Sequence, residues 1–151
     1  MHIFWTALFG LIALLWALQC IEIARGIRLL PHLKDVAAAD GPNLPKISIL
    51  VAARDEARKL PEALASFLAL DYPNYEVVAV NDRSTDGTRK ILDSAAREHT
   101  NLKVVHVESL PEGWLGKPHA LQQAYEHSAG EWLVFTDADV YFAPDVLRRA
   151  V

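Results

Sequence analysis

The chain has 151 residues, 52% hydrophobic and 23% charged, with a formal net charge of −4. That length suits about one domain, and so mild an acidic balance gives no reason to expect nucleic acid as a partner. Cys20 is the sole cysteine, which excludes an intrachain disulfide and a cysteine-based zinc site.

From Ile3 to Ile21 there is no charged residue. As a helix at about 1.5 Å per residue this run spans roughly 28 Å, close to the hydrocarbon thickness of a bilayer. It reads as a transmembrane anchor over residues 1–23, with Trp5 and Trp16 placed for the two interfaces. A cleaved signal sequence would open with positive charge and carry a shorter apolar core. A soluble helix seldom stays apolar on every face for so long. Arg25, Arg28 and Lys34 follow the run and no Lys or Arg precedes it. The positive-inside tendency therefore predicts a single pass of the cell (inner) membrane in this segment, with the rest of the chain cytoplasmic.

Residues 24–46 read as a juxtamembrane linker. Arg25, Arg28, Leu29 and Leu30 suit a short helix on the headgroups, and the stretch from Ala37 to Pro45, with two prolines and a glycine, suits an irregular connector.

Beyond Pro45 short apolar runs alternate with helical patterns. Ile47–Ala52 predicts a strand buried on both faces. A helix follows with Leu60, Leu64, Phe67 and Leu68 on one side and Pro61 in its first turn. Glu76–Val80 predicts the second strand, and Ile91, Leu92, Ala95 and Ala96 an amphipathic second helix. Leu102–Val107 predicts the third strand. Pro118 suits the start of a third helix with Leu121, Ala124 and Tyr125 inward. Trp132–Thr136 predicts a fourth, buried strand, and Pro144 opens a last helix. This alternation argues for an α/β domain over residues 47–151, with a mainly parallel sheet and right-handed crossovers. The final Arg148-Arg149-Ala150-Val151 carries no helix stop signal, so the expectation is the front part of a longer protein.

Ligands of such sheets bind outside the carboxyl ends of the strands. Four segments qualify. After the first strand come Ala53, Arg54, Asp55 and Glu56. Small Ala53 permits close approach of a ligand, Arg54 suits a base or a phosphate, and Asp55 and Glu56 also suit a helix N-terminus. After the second strand come Asn81 and Asp82. Asp82 is placed to accept from a nucleobase N–H or a ribose hydroxyl, while Ser84, Thr85 and Asp86 suit helix capping. After the third strand comes Gly113-Trp114-Leu115-Gly116-Lys117-Pro118, where Lys117 beside a helix start suits a diphosphate. After the fourth comes Asp137-Ala138-Asp139, whose two carboxylates share a face in extended backbone. They suit a divalent metal, Mg²⁺ or Mn²⁺, completed by substrate oxygens and water. A pair of glycosidase acids is the competing reading, but it gives Asp82 and Lys117 no role. A dinucleotide-binding dehydrogenase is disfavoured because no G-x-G-x-x-G follows any strand. The histidines show no metal-ligand spacing, and His99, His106 and His127 read as ordinary helix or strand residues.

The series ISILVAARDEA, VAVNDRSTDGT, LPEGWLGKPHAL and FTDADVYFAPDVL, in that order, resembles family 2 glycosyltransferases of GT-A fold, a Rossmann-like α/β/α domain. It is most similar to membrane-anchored bacterial members, including the hopanoid-associated type. The resemblance covers residues 47–151. It implies transfer of a sugar from a nucleotide-sugar donor with inversion, to an acceptor that the anchor makes plausible as a lipid. It implies base contact by Asp82, a donor pocket at Arg54, Asp55 and Lys117, and metal binding by the triplet from Asp137 to Asp139. Asn81 and His119 depart from the residues common in relatives. The resemblance also places the catalytic base beyond Val151, so this piece is expected to be inactive alone. A non-catalytic, membrane-tethered nucleotide-sugar-binding protein and a sugar nucleotidyltransferase are the alternatives. The latter usually carries a glycine-rich phosphate loop after its first strand, which the Ala53–Glu56 segment lacks.

Overall fold

The computed structural model describes residues 2–151. The chain divides into two units, one up to residue 37 and one over residues 38–151.

The first unit is a helix, α1 (His2–Leu29), followed by a single 3-10 turn at Leu33–Asp35. α1 buries no residue and is long and apolar enough to cross a membrane. It does not stop after the uncharged run. Arg25 and Arg28 ride on its last turns rather than on a separate interfacial helix, and Arg25 Nη1 lies 3.3 Å from Glu22 Oε1 one turn back. Nothing between Ile21 and Leu30 breaks the helical ladder, whereas Pro31 cannot continue it.

The second unit alternates strand and helix: β1 (Ile47–Ala53), α2 (Leu60–Leu68), β2 (Tyr75–Asp82), α3 (Thr88–Glu98), β3 (Leu102–Val107), α4 (Gly116–Glu126), β4 (Trp132–Asp137) and α5 (Val146–Ala150). The sheet is parallel throughout, in the order β3-β2-β1-β4. The predicted α/β class with a parallel sheet therefore holds. Side chains of β1 alternate between two faces. Ile47, Ile49 and Val51 pack in one core with Leu60, Ala63, Leu64 and Phe67 of α2 and Leu92 of α3. Leu50, Val78 and Val80 pack in another with Ala120 and Ala124 of α4. The chain steps from β1 outward to β3, then returns across the sheet to β4 on the other side of β1. That reversal places a crevice at the carboxyl ends of β1 and β4.

Three local expectations change. Among the described residues β4 pairs with β1 alone, and Trp132 and Phe135 are exposed rather than buried. α4 begins at Gly116, not Pro118, which puts Lys117 inside its first turn. Tyr125 points outward and alanines form the inner face of α4. Small side chains there let the helix lie close on the sheet, a preference that a search for large apolar residues does not see.

The opposite end of the sheet is tied by a buried carboxylate. Glu76 Oε1 accepts from Ser48 Oγ at 2.7 Å and from the Ala129 N–H at 2.6 Å, and Lys103 Nζ lies 2.7 Å from Oε2. Gly130 N–H donates to Ser48 Oγ at 2.8 Å. The turn before β4 is thus fixed to β1 and β2, which sets where β4 ends.

Candidate functional site

The crevice at the strand ends is an open cleft of about 470 Å³, lined by Ala52, Ala53, Arg54, Glu56, Asp82, Gly116, Lys117 and residues 137–139. All four segments singled out in the sequence contribute to it. Strand register explains how. Ala52 pairs with Asp137 across β1 and β4, and Ala53 pairs with Asn81 across β1 and β2. Residues 85 positions apart are thereby neighbours, and the acids at the end of β4 emerge beside the small residues at the end of β1.

Asp82 is buried at the cleft floor, only 3% exposed. Arg83 grips it with two hydrogen bonds, Nε to Oδ1 at 2.7 Å and Nη2 to Oδ2 at 3.0 Å. Neighbouring residues of a strand point to opposite faces, so this contact requires the chain to turn. It does so because Arg83 takes a left-handed conformation, with φ 53°. The Arg83 guanidinium holds the Asp82 carboxyl below the usual carboxylate range against the opposing effect of burial, and the charges of Arg54 and His119 add to the shift. Gly116 closes over this group. A Cβ there would lie 2.8 Å from Asp82 Oδ2, 2.9 Å from Arg83 Nη2 and 3.8 Å from Arg54 Nη1. A side chain at this position would have to push those groups aside.

The two acids of the triplet are held by different lysines. Lys117 Nζ bonds Asp137 Oδ1, and Lys59 Nζ bonds Asp139 Oδ2 at 2.7 Å. Lys59 keeps the Asp139 carboxyl below its ordinary range, chiefly through that hydrogen bond. Among the described residues no cluster of three or more metal-ligating side chains occurs. Two carboxylates on one cleft still suit Mg²⁺ or Mn²⁺, which take few protein oxygens and complete their shell from substrate and water.

Asp55 behaves differently. It does not line the cleft. Its Oδ1 accepts from the Thr85 N–H at 2.7 Å, and its own N–H donates to Ser84 Oγ at 3.1 Å. Ser84 and Thr85 thus bind the β1 loop rather than capping α3. Asp86 does receive the Thr88 N–H at 2.9 Å at the start of α3, and also the Ala57 N–H at 3.0 Å. Trp114 is 44% exposed and rests edge-on against the His119 ring, with centroids 5.5 Å apart.

Sequence reasoning did not single out Arg83, Gly116 or Lys59 for the site. Arg83 carried a weak signal, a bulky residue directly after a strand-end acid in a turn-rich segment. Lys59 carried none, because its partner is 80 residues away.

Comparison with known proteins bears on the family and the fold. Residues 48–151 match the model of Glycosyl transferase family 2. The chain is 39% identical over 111 residues to a beta-monoglucosyldiacylglycerol synthase of Nostoc sp., covering 72% of this chain and 23% of that protein. It is 35% identical over 107 residues to the poly(ribitol-phosphate) beta-N-acetylglucosaminyltransferase TarS of Staphylococcus aureus, covering 70% of this chain and 18% of that protein. Among solved structures it is similar to the mannosyltransferase PcManGT from Pyrobaculum calidifontis in complex with GDP-Man and Mn²⁺. The TM-score there is 0.67 at 34% identity, over 88% of this chain and 38% of the other. It is also similar to TarS of S. aureus in complex with UDP-GlcNAc, with a TM-score of 0.61 at 31% identity, over 70% and 30% of the two chains. The chain thus spans about a quarter of the length of the first of these relatives. Its fold is that of the GT-A glycosyltransferases, and the chain belongs to glycosyl transferase family 2.

Proposed function

We propose that this chain is the membrane-anchored, donor-binding part of an inverting, nucleotide-sugar-dependent glycosyltransferase. The observation that carries the reading is the convergence of four strand-end segments on one cleft. Asp82 accepts from the base or ribose of the donor. Arg54, at the cleft mouth, meets the base or a phosphate. At the end of β1 it is half-buried Ala52 that leaves room for the donor, whereas Ala53, expected from the sequence to do so, is fully buried in the core under α2. Lys117 pairs with the diphosphate from the first turn of α4, where backbone N–H groups add to the attraction for an anion.

Charge balance favours a divalent metal. Glu56, Asp82, Asp137 and Asp139 are matched by Arg54, Arg83, Lys59 and Lys117 in and around the cleft. That leaves no surplus positive charge for an incoming diphosphate. Asp137 and Asp139 are the residues to hold Mg²⁺ or Mn²⁺, and PcManGT was solved with Mn²⁺. A bound cation supplies Lewis-acid stabilisation of the departing nucleoside diphosphate. Lys117, which bonds Asp137 here, would pair with oxygens of the diphosphate. An inverting displacement also needs a carboxylate to take the acceptor proton, and we assign that base to none of the residues in this chain.

A lipid acceptor at the inner face of the cell membrane fits two observations. α1 is long and apolar enough to span a bilayer, and one relative makes monoglucosyldiacylglycerol. The basic residues Arg25, Arg28 and Lys34 after the apolar run support a cytoplasmic side for the cleft-bearing unit, where nucleotide sugars are made.

Isothermal titration of the full-length protein with UDP and GDP, with and without Mn²⁺, tests the reading. Binding of one nucleotide, strengthened by Mn²⁺, supports it. Absence of binding by either nucleotide defeats it.

A further inference from the structure

Among the described residues, two non-glycine residues have positive φ: Asp55 at 55° and Arg83 at 53°. One lies in the loop after β1 and the other in the loop after β2. Strained backbone persists where the surroundings over-determine it and is concentrated at functional sites. Arg83 has an evident reason for its conformation, since it folds back on Asp82. Asp55 has a different one. Its neighbours Arg54 and Glu56 both line the cleft, whereas its own side chain turns to the β2 loop.

The two loops are stitched through this position. Thr85 donates to Asp55 Oδ1 from its N–H at 2.7 Å and from its hydroxyl at 3.3 Å. Asp55 N–H returns a bond to Ser84 Oγ at 3.1 Å. The next two amides follow the same pattern. Glu56 N–H donates to Thr88 Oγ1 at 2.9 Å, and Ala57 N–H donates to Asp86 Oδ2 at 3.0 Å. Three consecutive amides of the first loop thus end on side chains of the second loop and of Thr88 at the start of α3, and the Asp55 carboxylate closes the ring in the opposite direction.

We propose that Asp55 is a positioning residue of the donor site: it does not touch the donor, but locks the β1 and β2 loops into one clamp that fixes Arg54 relative to Asp82. The inference rests on the donor-site reading above. The clamp needs two properties at position 55, a left-handed backbone and an oxygen acceptor, and it does not need charge. Asn has both, because it tolerates the left-handed region and its amide oxygen accepts. Gly has the first alone. Ala has neither.

The test combines titration of the nucleoside diphosphate that the full-length protein binds, in the presence of Mn²⁺, with hydrogen exchange at the Thr85 amide. Asp55→Asn is expected to keep nucleotide affinity within about threefold and to keep the Thr85 amide protected. Asp55→Ala and Asp55→Gly are expected to weaken nucleotide by about tenfold and to speed exchange at Thr85, with the β1 and β2 amides still protected. Equal loss of affinity in Asp55→Asn and Asp55→Ala overturns the inference, because it means that the charge meets the donor directly. Unchanged Thr85 exchange in Asp55→Ala also overturns it. If the unmutated protein binds neither UDP nor GDP, the donor-site reading falls and this inference with it. That outcome is distinct from the other two, which require binding by the unmutated protein or concern the clamp alone.

Discussion

Lys59 Nζ lies 2.7 Å from Asp139 Oδ2, although 80 residues separate the two in sequence. This ammonium and that of Lys117 occupy the triplet carboxylates, so a metal entering the cleft competes with two resident cations. Asp139→Ala is expected to weaken Mn²⁺-supported nucleotide binding by about tenfold or more. Lys59→Met is expected to do the reverse for the metal alone, tightening Mn²⁺ binding to the nucleotide-free protein by about two- to fivefold, as removal of one exposed ion pair allows. Mn²⁺ titration followed by electron paramagnetic resonance reads both. A Lys59→Met protein that binds Mn²⁺ no better than the unmutated one would argue against competition.

Gly116 is the position where one methyl group does most damage to the site. Its Cβ would sit 2.8 Å from Asp82 Oδ2 and 2.9 Å from Arg83 Nη2, so Gly116→Ala must displace the buried pair or lift the start of α4. Overpacking of this kind costs about 1–3 kcal/mol of stability. Nucleotide affinity is expected to fall by about tenfold, measured by titration beside a thermal melt. Wild-type affinity in a folded Gly116→Ala protein would show that Asp82 does not read the donor.

Glu76 makes folding depend on pH. Burial pushes its carboxyl up, but the Lys103 ammonium, Ser48 hydroxyl and Ala129 N–H outweigh it, and the net shift is downward from 4.5. A carboxyl with a lower value in the folded than in the unfolded chain stabilises the fold fully above its unfolded value and loses that contribution as pH falls through the folded one. Stability from this group is therefore complete at neutral pH and declines below about pH 4.5. Glu76→Gln is expected to cost about 2 kcal/mol at pH 7 and to flatten the acid decline, read as urea midpoints between about pH 7 and pH 3. An unchanged acid profile would exclude Glu76 as the source.

Deleting residues 2–29 removes α1 and leaves the unit built on β1 to β4 with both of its cores. The shortened full-length protein is expected to shift toward the soluble fraction on lysis and to retain nucleotide affinity. Retention in the membrane fraction would show that other segments anchor it.

Much of the fold was legible because its signals are local. The apolar strands from Ile47 and Glu76 and the helical spacing of Leu60, Leu64 and Phe67 follow from side-chain periodicity, which needs no knowledge of distant residues. The strand-end rule then turned those strands into four segments, and all four line the cleft. The errors came where a neighbour in space decided the outcome. Trp132 and Phe135 are apolar enough for an interior strand, yet among the described residues β4 pairs with β1 alone and leaves them exposed. Tyr125 yielded the inner face of α4 to Ala120 and Ala124 because the helix packs close to the sheet.

By itself, then, the sequence determined the apolar N-terminal helix, the alternation of strand and helix, and the chemistry available at Arg54, Asp82, Lys117, Asp137 and Asp139. The tertiary structure alone decided who meets whom: Lys59 with Asp139, Gly116 with Asp82 and Arg83, and Asp55 with Thr85 instead of the cleft. The division has one physical reason. Periodicity and residue chemistry are carried along the chain, whereas ion pairs, close backbone approaches and hydrogen bonds between loops depend on strand register, which brings together positions that no local pattern connects.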